Sequence, residues 1–139
     1  MQNTTKDRII PTGTEMFSTF AVDDIEAARR FYGDTLGLDV RDGQMEGLIE
    51  IHPGSGTPVT VYPKPDHQPA DFTVLNFLVS DVEAVVDALS AAGVRIEHYD
   101  GTDGPKTNEK GIATDGGGTI AWFRDPARNV LSVIGRDAS

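Results

Sequence analysis

Two segments of this chain follow one plan at a spacing of 57 residues, and that repeat restricts the fold more than any other feature of the sequence. In the first segment, Met16-Phe17-Ser18-Thr19-Phe20-Ala21-Val22 reads as a strand, Asp23 with Glu26 as a helix-opening capping box, and Gly37 as the helix stop. In the second, Phe72 to Val79 is the strand, Ser80 with Glu83 the capping box and Gly93 the stop. The expected helices, about Ile25 to Leu36 and about Val82 to Ala92, each carry an apolar stripe at helical spacing. Ile25, Ala28, Tyr32 and Leu36 form one stripe, and Val82, Val85, Leu89 and Ala92 the other. Both helices should therefore lie on sheets.

Short strand candidates follow each helix, separated by turn residues. They are Asp39 to Asp42, Gly47 to His52 and Pro58 to Tyr62 in the first half, and Val94 to Tyr99, Thr119 to Arg124 and Asn129 to Ile134 in the second. The expected fold class is α+β, with two βαβββ modules in one chain. The expected boundaries are a polar segment over residues 1–14, a single domain over 15–135 and a tail over 136–139. Within the domain, module one covers about 15–63, a proline-rich linker 64–71 and module two 72–135. Asp100 to Gly118 holds six Gly and one Pro with little apolar patterning, and is expected to be a solvated connector or a mobile flap.

Charge and composition narrow the function classes. The net charge is −10, so nucleic acid and anionic membrane surfaces would be repelled. The chain contains no Cys, which removes thiolate nucleophiles and cysteine-based zinc sites and fits a cytoplasmic protein. Neither a membrane-spanning apolar run nor a secretory leader is expected. Gly116-Gly117-Gly118 leads into a strand with no Lys at phosphate-loop spacing, and Gly54-Ser55-Gly56 reads as a turn.

Strand alternation divides the side chains into two sets. Phe20 and Val22, with Leu75, Phe77 and Val79, should meet the helices; Phe17 and Thr19, with Val74 and Asn76, should look the other way. Glu50 and His52 leave one face of their strand while Ile49 and Ile51 leave the other. A carboxylate beside an imidazole is a candidate for general acid–base work, since a positioned His titrates near neutrality; the alternative is a solvated edge-strand pair. His67 in the linker and His98 near a strand end are expected at the surface.

The chain resembles the vicinal oxygen chelate superfamily, the glyoxalase, bleomycin-resistance and extradiol-dioxygenase group, over roughly Glu15 to Gly135. The resemblance rests on Val22-Asp23-Asp24-Ile25-Glu26, on Phe31-Tyr32-Gly33-Asp34-Thr35-Leu36-Gly37-Leu38, and on Trp122-Phe123-Arg124-Asp125-Pro126-Ala127-Arg128-Asn129. It implies curved sheets enclosing a cavity, helices on the outer faces, and commonly a homodimer. Metalloenzymes of the group carry a His on the first strand of each module and a carboxylate or amide on the last. The matching positions here are Phe17, Val74, a place near Thr60, and Ser132. None of these four is a good ligand, so no metal and no other cofactor is expected.

The expected function is accordingly a metal-free small-molecule-binding protein, holding an apolar or aromatic ligand in the cavity between the sheets. Its wall would include Phe17, Thr19, Thr60, Tyr62, Val74, Asn76 and Ser132. One alternative is an enzyme of the glyoxalase or dioxygenase type using an atypical site around Glu50 and His52. Another is a dimeric interaction module without a ligand.

Overall fold

The computed structural model describes residues 8–115 and 118–135; the expected tail at 136–139 and residues 1–7 of the expected segment 1–14 lie outside them. In chain order the elements are β1 (Thr19–Val22), α1 (Ile25–Arg29), β2 (Asp39–Asp42), β3 (Ile49–His52), β4 (Val59–Pro63), β5 (Thr73–Val79), α2 (Val82–Ala91), β6 (Ile112–Asp115), β7 (Gly118–Arg124) and β8 (Val130–Gly135). Two four-stranded sheets result, ordered β1-β4-β3-β2 and β5-β8-β7-β6. In each, the first strand runs parallel to the last, Thr19 beside Thr60 and Asn76 beside Ser132, and the other pairings are antiparallel. This is the βαβββ plan made twice. No helix among the described residues is long and apolar enough to cross a membrane.

The helices begin at Ile25 and Val82, as expected, but each is capped by the residue after the one the capping boxes named, Asp24 in place of Asp23 and Asp81 in place of Ser80. Asp24 is the first cap, its Oδ1 accepting from the backbone N–H groups of Glu26 (3.1 Å) and Ala27 (3.0 Å). Asp81 is the second, accepting from Ala84 N–H at 3.0 Å. At these positions a carboxylate reaches the unpaired amides and also meets the positive end of the helix. The repeat survives the correction because both caps move by one. Arg30–Thr35 continues α1 as a π-helix, closed by Leu36 N–H donating to Phe31 C=O at 2.9 Å. The widened turn directs Phe31 and Tyr32 toward module two. Gly37 and Gly93 end the helices at φ 76° and 87°, a backbone region that a side chain disfavours.

The largest departure from the sequence reading lies in module two. Val94 to Tyr99 is not a regular strand, and β6 lies within the stretch expected to be a connector or flap. Both flank β7: Ile96 bridges Phe123 and Glu97 N–H donates to Trp122 C=O at 2.9 Å, while Ile112 pairs with Ala121. One edge position is thus shared by two short pieces, separated by an excursion over residues 98–111. Gly111, at φ 85°, is where the excursion rejoins the edge, and any Cβ there would collide with Ile96.

One core joins the modules on the helix side. Phe20, Tyr32, Phe31, Phe123 and Phe77 form a continuous aromatic row, with Phe31 and Tyr32 at 5.1 Å edge to face, and Phe31 and Phe123 at 6.5 Å across the module boundary. A polar latch lies beside it. The Asp125 carboxylate is buried and accepts from Tyr32 Oη (2.7 Å), Asn129 N–H (2.8 Å) and Asn129 Nδ2 (3.0 Å). Asn129 Nδ2 also donates to Ala21 C=O at 2.8 Å. Arg128 adopts φ 71° in the turn that brings Asn129 back to Asp125. His67, expected at the surface, is half-buried with Nε2 3.1 Å from Ala127 C=O, so it fastens the linker to the same turn.

Candidate functional site

Ile49 and Ile51 are buried against the helix-side core, and this fixes the opposite face of β3 as the one that carries Glu50 and His52. His52 Nε2 lies 2.9 Å from Glu50 Oε1, with the side chains only 23% and 19% exposed. β3 sits between β4 and β2, so the pair is not at a sheet edge. Register then assembles the neighbours. Thr19, Thr60, Glu50 and Arg41 form one row across the sheet, and Asp39 stands opposite His52. Arg41 donates to Asp39 through Nη2 (2.7 Å) and Nε (3.2 Å), and these hydrogen bonds hold the Asp39 carboxyl below the usual carboxylate range.

Above this face lies a cavity of about 840 Å³. Of the side chains that the sequence singles out, Phe17, Thr19, Thr60, Tyr62, Glu50 and His52 line it together. Gln44, Met45 and Leu48 add to the wall from the β2–β3 loop. Val74 instead meets Thr19 and Tyr62 in a neighbouring cavity of about 520 Å³ at the seam between modules. Asn76 and Ser132 lie on the second sheet, where the buried Ser132 hydroxyl donates to Asn76 Oδ1 at 2.5 Å. The seven expected wall residues therefore do not surround one cavity. The cavity lining is drawn from module one, because the two modules pack through their helix sides.

The family model described as the glyoxalase/bleomycin resistance protein/dioxygenase superfamily matches residues 16–133. The chain belongs to that superfamily. Among solved structures it is similar to TnmS3, an antibiotic binding protein from Streptomyces sp. CB03234, with 25% identity, a TM-score of 0.66, and coverage of 89% of this chain and 96% of that one. A glyoxalase/bleomycin resistance protein from the same Streptomyces strain shares 26% identity at a TM-score of 0.59, covering 85% of this chain and 98% of that one. A superfamily member from Sphaerobacter thermophilus DSM 20745, 22% identical with a TM-score of 0.63, covers 89% of this chain and 98% of its own, and shows the shared fold. No curated protein matches in sequence.

The metal that many superfamily enzymes use does not fit this chain's donors. Phe17 and Val74 offer no lone pair, Thr60 is a neutral hydroxyl, and the Ser132 hydroxyl is already committed to Asn76. Among the described residues no group of three or more His, Asp or Glu side chains converges. What this site offers is apolar and aromatic area, neutral hydrogen-bonding groups, the Glu50–His52 carboxylate–imidazole pair and a second carboxylate, Glu15.

Proposed function

We propose that the protein binds a small, largely apolar molecule containing an aromatic ring in the cavity on the first sheet, and does not convert it. The observation that carries this reading is the lining. Phe17, Met45, Leu48 and Tyr62 supply apolar area, while Thr19, Thr60 and Gln44 supply neutral polar partners that fix orientation. Burial at about 25 cal/mol per Å² of apolar area would supply the affinity. The likeness to an antibiotic-binding protein at 25% identity supports a sequestering role. The absence of Cys supports placing the protein in the cytoplasm. Titration of the purified protein against a panel of aromatic natural products, read by isothermal calorimetry, tests it: saturable binding at one molecule per chain is expected, and a flat response across the panel contradicts it.

The Glu50–His52 contact favours one second reading, acid–base catalysis in the same cavity. His52→Ala separates the two. If the protein only binds, product is absent with both wild type and variant; if it is an enzyme, turnover falls about 100-fold in the variant.

A homodimer is part of the same proposal. Met16 and Leu78 are 81% and 57% exposed and line none of the cavities described above, and each sheet ends in uncovered strands. Light scattering at micromolar concentration should give twice the chain mass of 14.9 kDa. A mass equal to one chain contradicts it.

A further inference from the structure

We propose that the helix side of the protein carries a second small-molecule site, a cleft between α2 and the π-helical end of module one's helix, which takes a neutral molecule with a fused-ring hydrocarbon group. A cavity of about 370 Å³ opens there, and it shares no lining residue with the cavity on the first sheet or with the one at the seam. Leu36 and Leu38, just past the π-helical turn, form one wall. Ala84, Val85 and Ala88 of α2 form the other. The floor is aromatic: the Phe77 and Phe123 rings lie 6.4 Å apart with their planes at 22°.

The lining selects the ligand. Among the described residues no charged side chain borders the cleft, and the Thr35 hydroxyl is the only polar side chain that does. A charged or strongly polar molecule would leave water here without a partner to replace it. Size follows from volume. An apolar cavity of about 150 Å³ takes a single benzene ring, so this cleft, more than twice as large, has room for two fused rings. The ring faces of the floor give such a molecule a flat surface to lie on.

The cleft exists before a ligand arrives. Burial of Val82 and Val86 fixes the rotation of α2, so that Ala84 and Ala88 stay exposed at the cleft. Leu36 N–H donates to Phe31 C=O and Leu38 N–H to Tyr32 C=O, both at 2.9 Å, which holds the facing wall. Little ordering is then left to oppose binding. The cleft also lies on a different side from the face that the proposed homodimer uses. Phe77 and Val79 border it, while the exposed Leu78 between them leaves the opposite face of β5. A symmetric contact through the cleft would set Glu83 and Asp87, on the flank of α2, against their own copies in a chain of net charge −10.

Fluorescence titration with N-phenylnaphthylamine, a neutral fused-ring probe, tests the site in the full chain carrying Thr60→Arg, which fills the cavity on the first sheet. Saturable enhancement at one probe per chain is expected. Anilinonaphthalene sulfonate, the same ring system bearing an anionic group, should bind at least tenfold more weakly. Adding Ala88→Phe, which fills the cleft from an exposed helix position, should weaken N-phenylnaphthylamine at least tenfold with circular dichroism unchanged. Ala84→Leu fills it with a strong helix former and should act in the same direction. Because Ala84 and Ala88 lie outside the first-sheet cavity, these losses assign the probe to the cleft whether or not that cavity binds a ligand. The proposal is overturned if the probe fails to saturate, if the sulfonate binds as tightly, or if both filling variants bind the probe as the parent does. It is equally overturned if Ala88→Phe changes the mass measured by light scattering, which would give the cleft to a second copy.

Discussion

Asp125→Ala is expected to cost about 3–5 kcal/mol of folding stability, a large part of the ~5–15 kcal/mol that holds a domain of this size together. The carboxylate is 4% exposed and accepts from three donors. Its loss would leave the Tyr32 hydroxyl and the Asn129 N–H buried without their partner, across the boundary between the modules. Tyr32→Phe removes one donor and should cost about 1–2 kcal/mol. The latch also predicts alkaline behaviour. Burial first, and the Asp125 charge second, push the Tyr32 phenol far above its ordinary value of 10.0. The folded state therefore keeps a proton that the unfolded chain releases. This stabilisation is fully present below about pH 10 and is lost above it at about 1.4 kcal/mol per pH unit. Urea unfolding between pH 8 and 11 should show that decline in the wild type and a shallower one in Tyr32→Phe. Equal slopes, or an Asp125→Ala variant as stable as the wild type, would show that the latch holds nothing.

Thr60→Arg is expected to reduce ligand binding at least 100-fold while leaving the fold intact. Thr60 is half-buried in the middle of the row from Thr19 to Glu50, on the face away from the core, so a long side chain would enter the cavity rather than the packing. The new guanidinium would sit against Glu50, displacing the ligand and adding a polar group where an apolar one bound. Unchanged affinity, with circular dichroism matching the wild type, would move the ligand off this sheet.

What the sequence revealed follows from the range of each signal. The repeat, both helices and the shared face of Glu50 and His52 depend on residues within a few positions of one another, and periodicity reports such neighbours directly. Val94 to Tyr99 misled because Val94, Ile96 and Tyr99 look strand-like, while Ile112–Asp115 is short and sits in a glycine-rich run. Only pairing with β7 shows that the two pieces share an edge. The lining of the cavity was partly legible. Thr19, Thr60, Tyr62, Glu50 and His52 follow from strand phase, but Val74, Asn76 and Ser132 share that wall only if the two sheets enclose one cavity. None of these three lines the cavity on the first sheet, and the contacts that join the modules, such as Tyr32 on Asp125, 93 residues away, are encoded by no local pattern.

Native mass spectrometry shows whether the cavity holds a ligand and leaves it unchanged. After incubation with aromatic natural products and removal of excess, one small molecule per chain is expected, released with unchanged mass, and none retained by Thr60→Arg. A released molecule altered in mass by wild type and left unaltered by His52→Ala would contradict this expectation, as would a protein that retains nothing.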